Sequence, residues 1–486
     1  MYSCSCIRPT AIAIAITASA WVGFATNSPV QALAAIPLLP SIAPELAIDS
    51  TARATSSLPA AISPTPFENV DGAILVRAML RGADDRDTVG LLVLDTGAGY
   101  LALSPQIIRR LGLSDSTVAD LTFAPRSLKR LEAGPLMVEP VAPILCIDTK
   151  VIAEAIDRPA LGLLGQSPLD DFALTIDYEK STMTTIHMQR DAVVAVLPRG
   201  GSGMEMAARM SVTALAQTRS REALGGLVSD GAVAAPFELA GDGKILVRAR
   251  LAQPARTPSP SAPGPGEPVA SPELSLILDT GATKSVIFAS SLADQAATMK
   301  AWKRLKGLSA PTLYGAEEAL MTRVPRLEVI GSGGIAPADS VDVAVLEGEL
   351  RPALEQATHH RVDGLLGYSF LRRFRVTIDY PHRIVWFDPV NVPQDQRPYE
   401  YSHVGIQIER RDGSLRVVAV AEGSPAASAG IRAGDILVSI DATQAATLDV
   451  VGASRKLEGP PGSTVTLVLS RAGREQRYSL KRQRLL

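Results

Sequence analysis

A duplicated order of landmarks runs through this chain and restricts its architecture before any single segment is considered. Pro66-Phe67-Glu68, followed by Ile74-Leu75-Val76-Arg77-Ala78, returns as Pro236-Phe237-Glu238 followed by Ile245-Leu246-Val247-Arg248-Ala249. Each run leads into an apolar stretch with the same ending, Leu94-Asp95-Thr96-Gly97-Ala98 and Leu278-Asp279-Thr280-Gly281-Ala282. Gly162-Leu163-Leu164-Gly165 then matches Gly364-Leu365-Leu366-Gly367, and Thr175-Ile176-Asp177-Tyr178 matches Thr377-Ile378-Asp379-Tyr380. The second copy is longer between its landmarks, a difference that loops absorb cheaply.

Short Val-, Ile- and Leu-rich runs broken by Gly, Pro and Asp predict strands in both copies. Each copy is thus a β-rich unit, at residues 66–190 and 236–390, joined by a linker at 191–235 with a short helix near 206–215. The Pro-, Ser- and Gly-rich tract 254–272 reads as an exposed hairpin loop. The 486 residues leave room for roughly two to four compact units, and a 46% hydrophobic share against 20% charged residues places the chain among globular proteins. A formal charge of -2 argues against nucleic acid as a partner. Cys146 is the one cysteine outside the extreme amino terminus, so the body can form neither an internal disulfide nor a Cys-ligated zinc site. Its apolar surroundings predict a buried structural thiol.

Arg8 precedes the apolar stretch 11–25, and Ala32-Leu33-Ala34 offers the small residues a signal peptidase prefers. Residues 1–34 therefore read as a signal peptide and 35–65 as a loose leader, which predicts a secreted or periplasmic protein. The apolar stretch is shorter than the ~20 residues a spanning helix needs, so no stable membrane insertion is expected after cleavage.

Leu91-Leu92-Val93-Leu94 and Leu276-Ile277-Leu278 read as buried strands that deliver Asp95 and Asp279 into turns where Gly97 and Gly281 relax the backbone. Burying a carboxylate costs several kcal/mol unless it is paired or hydrogen-bonded. Either each aspartate caps its own turn, or the two copies meet so that the carboxyls share a site, one holding a proton while the other activates a water.

At these residues the chain resembles the aspartic proteases, and the Leu-Asp-Thr-Gly-Ala form is most similar to the retropepsin branch, with two lobes fused over roughly residues 66–390. The resemblance implies that Asp95 and Asp279 are a catalytic dyad needing no metal or cofactor. It also implies that Thr96 and Thr280 brace the loops, that Gly97, Ala98, Gly281 and Ala282 complete them, and that the Gly-Leu-Leu-Gly runs pack behind them. Ala98 and Ala282 stand where pepsin-like relatives often carry a hydroxyl, and fewer donors raise a carboxylate pKa. In Thr312-Leu313-Tyr314-Gly315, Tyr314 is a candidate substrate-covering flap residue or an ordinary core tyrosine. His187, His359, His360, His382 and His403 lack metal-ligand spacing. Gly367-Tyr368-Ser369-Phe370-Leu371 lacks the last glycine of a nucleophile elbow. Asp177 and Asp379, inside strand-like runs, suggest turn or ladder hydrogen bonding.

Gly423-Ser424-Pro425-Ala426, Ala429-Gly430-Ile431 and Ala433-Gly434-Asp435-Ile436-Leu437, with Gly459-Pro460-Pro461-Gly462 further on, resemble PDZ domains of bacterial secreted proteases over roughly residues 401–486. Such domains add a peptide as a strand and capture its carboxylate on backbone N–H groups. The resemblance assigns that loop to Val404, Gly405, Ile406 and Gln407, and the bordering helix to 447–457. A closed module acting as a brace is the alternative. The expectation is a mostly β chain: two tandem retropepsin-like β-lobes forming one bilobal aspartic-protease unit, plus an α/β PDZ domain. The function expected is a secreted or periplasmic aspartic endopeptidase acting on polypeptide substrates, with the PDZ domain binding peptide carboxy termini. The alternative is a non-catalytic peptide-binding scaffold with degenerate protease lobes.

Overall fold

The computed structural model describes residues 63–114, 123–189, 203–241, 243–252, 272–295, 302–312, 315–390 and 397–486. The expected signal peptide, nearly all of the leader, the tract 253–271 and Tyr314 lie outside the described residues.

The two copies meet in one six-stranded antiparallel sheet. Its middle is the pair Phe172–Asp177 and Phe374–Asp379, in register with Thr175 opposite Thr377. Thr182–His187 and Ile384–Pro389 flank this pair, and Thr65–Pro66 and Val233–Pro236 form the two edges. The repeated Thr-Ile-Asp-Tyr runs thus pair with each other. Their branched side chains suit a pleated surface covered on both faces, and Leu174, Ile176, Val376 and Ile378 are all fully buried.

Each copy adds its own eight-stranded sheet. In the first, Ala73–Arg81 pairs with Asp87–Leu94, and Gly162–Leu164 runs parallel beside the latter. In the second, Ile245–Ala252 pairs with Leu274–Leu278, and Gly364–Leu366 takes the parallel place. The glycine that opens each Gly-Leu-Leu run is required by crowding. A Cβ would lie 1.8 Å from the Ala102 carbonyl oxygen at Gly162 and 2.0 Å from that of Val286 at Gly364. One apolar cluster takes in Leu94, Leu164 and Ile176 of the first copy together with Leu278, Leu366 and Ile378 of the second. Burial of each such side chain contributes about 1.5–3 kcal/mol, so the copies are stabilised jointly. The second copy is extended by a ribbon of Arg304–Thr312, Gly315–Ile330 and Ile335–Leu346.

The expected short helix of the linker is a longer one, Gly203–Leu224, because the run contains no proline to stop it earlier. It is anchored where the Trp386 indole N–H donates to Ser220 Oγ at 2.9 Å. The carboxy-terminal unit has a separate core and a sheet ordered Ile406–Arg411, Ser414–Val420, Ile436–Ile440, Thr464–Arg471, Arg474–Lys481. Helix Val450–Leu457 starts at Asp449, whose carboxylate accepts Gly452 N–H at 2.8 Å.

Candidate functional site

Asp95 and Asp279 are brought together, each fully buried at the end of its strand. The backbone of each is fixed by the neighbouring Gly-Leu-Leu strand: Asp95 N–H donates to Leu164 O at 3.0 Å and Asp279 N–H to Leu366 O at 3.1 Å. Inside the loops, Asp95 Oδ1 accepts Gly97 N–H at 2.9 Å, and Asp279 Oδ1 accepts Gly281 and Ala282 N–H at 2.8 and 3.1 Å.

The loops interlock through their threonines. Thr96 Oγ1 donates to Leu278 O at 2.9 Å and accepts Thr280 N–H at 3.0 Å. Reciprocally, Thr280 Oγ1 donates to Leu94 O at 3.0 Å and accepts Thr96 N–H at 3.1 Å. Each glycine lies against the opposite carboxyl: a Cβ would stand 2.7 Å from Asp279 Cγ at Gly97 and 2.8 Å from Asp95 Cγ at Gly281. Any side chain there would push the carboxyls apart. Ala98 and Ala282 are fully buried beside them.

Burial pushes Asp95 up to about 6, against the opposing pull of Asp279, the Gly97 N–H and the charge of Lys244. Burial, and then the neighbouring charge of Asp95, raises Asp279 well above the usual carboxylate range. Desolvation therefore leads, rather than the missing hydroxyls expected from Ala98 and Ala282. Close like charges in a dry site resist joint ionisation, so the pair gives up its last proton less readily than exposed carboxyls do. Such a pair offers one donor and one acceptor to a small polar group between them. Beyond the contact between the two carboxyls, neither Asp95 Oδ2 nor Asp279 Oδ2 has a hydrogen-bond partner among the described residues. Asp177 and Asp379 lie outside this centre and cap turns, accepting the N–H of Lys180 at 3.0 Å and of His382 at 3.1 Å.

In the carboxy-terminal unit, Ile406–Arg411 is an edge strand next to helix Val450–Leu457, the arrangement a strand-adding peptide needs. The four loop residues expected to touch peptide have unequal duties. Val404 is core, and Gly405 holds φ 88° with its N–H donated to His403 Nδ1 at 3.0 Å. Ile406 borders a cavity. Gln407 is spent on the second copy, where it accepts Ser309 N–H at 3.0 Å and donates to Ser309 O at 3.3 Å.

Sequence reasoning missed the residues that join the units. Asp157 accepts Arg410 Nε at 2.7 Å and Val450 N–H at 2.9 Å. Lys284 pairs with Glu400 at 2.5 Å, and Arg397 reaches Asp71, Glu400 and Glu458. No local pattern marks such contacts between distant segments. The buried Lys244 near Asp95 was also missed, since Ala73 fills its place in the first copy.

Residues 416–471 match the family model of the PDZ domain. The chain is 30% identical over 88 residues to the carboxy-terminal-processing protease of Bartonella bacilliformis, a match covering 18% of this chain and 20% of the relative. It is 43% identical over 72 residues to the chloroplastic carboxyl-terminal-processing peptidase 2 of Arabidopsis thaliana, covering 15% of this chain and 14% of the relative. The matched stretch is thus a fifth or less of either relative's length. Among solved structures, the aspartic proteinase from Irpex lacteus superposes over 69% of this chain and 99% of its own, at 11% identity and a TM-score of 0.38, a likeness too slight to carry an argument.

These comparisons correct the identification made from the repeated Asp-Thr-Gly loops. Over the stretches matched, the curated relatives are carboxy-terminal processing proteases, which overturns both the retropepsin-like recognition and the aspartic-endopeptidase assignment. The physical reason lies in what the motif encodes. Asp-Thr-Gly dictates two interlocked turns and a buried carboxyl pair, and that geometry does not specify which bond a site acts on. A mostly β chain with a PDZ domain stands. Among the described residues, no helix is long and apolar enough to cross a membrane.

Proposed function

We propose that this chain is an exported peptide-handling protein whose PDZ domain, residues 401–486, binds the carboxy-terminal segments of polypeptides. The observation that carries the reading is the PDZ match at residues 416–471, in a unit whose edge strand Ile406–Arg411 lies next to the helix Val450–Leu457. Kinship with carboxy-terminal processing proteases supports polypeptide chain ends as the ligand class. The signal-peptide pattern of residues 1–34 supports export.

Residues 66–190 and 236–390 are the two β-rich units of this proposal. Asp95 and Asp279 are its acid–base centre, held by Thr96, Gly97, Ala98, Thr280, Gly281 and Ala282, with one proton shared between the carboxyls. Hydrogen exchange of the full chain, with and without an octapeptide bearing a free carboxylate, tests the peptide reading. Slowed exchange across Ile406–Arg411 is expected. Unchanged exchange there at saturating peptide would refute strand addition.

A further inference from the structure

A cavity of about 390 Å³ opens where the PDZ domain meets both copies of the repeat. We propose that this cavity is a composite site for the last residue of a polypeptide carrying an apolar side chain, with one wall supplied by the PDZ domain and the other by the second copy. The inference rests on the peptide-binding reading above and adds to it the residues that read the peptide's end.

The apolar part of the lining has two sources. Ile406 and Leu457 come from the PDZ edge strand and helix, while Leu305, Leu308 and Met321 come from the ribbon of the second copy. All five are less than a tenth exposed, so they form an apolar corner of a cavity whose remaining lining is mostly polar. Its volume falls at the small end of the ~300–1,000 Å³ typical of ligand sites, which suits a chain end rather than a long segment.

The junction between the walls is built into the chain. The ribbon shifts register between Leu305 and Leu308, and Gly307, at φ +74°, lies so close to the PDZ domain that a Cβ would stand 2.8 Å from Val420 O. Glu422 N–H donates to Lys306 O at 3.0 Å, and the Gln407 side chain clamps both backbone groups of Ser309. Ala421 of the PDZ domain belongs to the same apolar cluster as Leu305, Leu308 and Met321. The second copy is therefore a fixed wall of the site.

The polar end of the lining also departs from a free-standing PDZ loop. The Gly405 N–H is already given to His403 Nδ1. Burial, followed by the charge of Arg397, lowers His403 to about 4 and keeps its ring an acceptor. Lys284, Arg372 and Tyr178 line the same cavity, and the Tyr178 hydroxyl is buried without a hydrogen-bond partner among the described residues. Asp71, Glu400 and Glu458 also border it but are engaged by Arg397. A terminal carboxylate entering here meets the guanidinium of Arg372, while Lys284 is held by Glu400. Lys284 follows the Asp279 loop directly, so the peptide site and the carboxyl pair share a segment of chain.

Fluorescence anisotropy of the full chain tests this with three fluorescein-labelled octapeptides: one ending in leucine with a free carboxylate, its carboxamide, and one ending in aspartate. The leucine carboxylate should bind best. Leu308→Ala and Met321→Ala should each weaken it roughly tenfold, the scale of a lost apolar pocket contact, as should Leu457→Ala on the PDZ side. Thermal unfolding selects variants that keep the native fold, and Met321→Gln, which conserves volume, serves where truncation does not. Native affinity in both second-copy variants, with loss only in Leu457→Ala, would overturn the composite site while leaving PDZ binding intact. No binding of any peptide by the native chain would defeat the peptide reading itself.

Discussion

Thr175 and Thr377 face each other across the joint sheet with their hydroxyl oxygens 2.9 Å apart, at equivalent positions of the two copies. Two buried hydroxyls that satisfy each other create an asymmetry between single and double substitution. Thr175→Val alone leaves the Thr377 hydroxyl without its partner and should cost about 1–3 kcal/mol, whereas Thr175→Val with Thr377→Val should be nearly neutral. Urea unfolding of the two singles and the double reads this directly. Additive losses would mean that the hydroxyls do not depend on each other.

The carboxyl pair should make stability depend on pH in a definite direction. Burial raises Asp95 from its ordinary value to about 6, and Asp279 moves the same way. The folded chain therefore binds more protons than the unfolded chain above about pH 4, and stability falls as pH rises through 6. For Asp95 alone this amounts to roughly 3 kcal/mol by neutral pH. Asp95→Asn with Asp279→Asn should remove that part of the slope and be more stable than the native chain at pH 7. Denaturant titrations at pH 4.5 and 7 provide the check, and a native slope in the double variant would show that the carboxyl pair does not carry it.

The copies, their strands and the aspartate loops were legible because each is a local pattern: apolar runs, turn residues and a tetrapeptide read in order. Pairing was not. Nothing in Thr-Ile-Asp-Tyr says that it will hydrogen-bond to its own repeat, and the helix Gly203–Leu224 carries no clear apolar stripe to mark its full length. The loop 404–407 reads as a PDZ turn from its glycine and neighbours, but the duty of Gln407 depends on Ser309, 98 residues away. The protease class was overread for a related reason. A motif that enforces a turn does not name a reaction.

Lys284 and Glu400 form a pair with only 15% and 12% of their side chains exposed. Burial alone would raise Glu400, but the charges of Lys284 and Arg397 bring it down to about 2. A carboxylate lowered in the folded state contributes stability above its unfolded pKa and loses it as pH falls toward 2. Lys284→Met should therefore destabilise by roughly 3 kcal/mol at neutral pH, by leaving a buried charge short of a partner. It should also unfold at a higher pH than the native chain during acid titration. Lys284→Met with Glu400→Gln should recover much of the loss. Tryptophan fluorescence against pH separates the three proteins.

Asp157 ties the first copy to the PDZ domain at the end of the peptide strand remote from the cavity. It holds φ 51° at the close of helix Lys150–Ile156, with one carboxylate oxygen taken by Arg410 and the other by the Val450 N–H, the first of the PDZ helix. A negative charge at a helix amino terminus is favourable in itself, and here it fixes the orientation of the helix that borders the peptide strand. Arg158 reinforces the tie through Glu68 and Asp449 at 3.1 and 3.0 Å. Asp157→Gly keeps the backbone conformation, since glycine adopts positive φ freely, and deletes both contacts. Faster hydrogen exchange is expected in the first turn of Val450–Leu457 and along Ile406–Arg411, with exchange in the joint sheet unchanged, because Phe172–Asp177 and Phe374–Asp379 belong to a different core. Uniform acceleration across all sheets would show instead that Asp157 supports the whole fold rather than the seating of the PDZ domain.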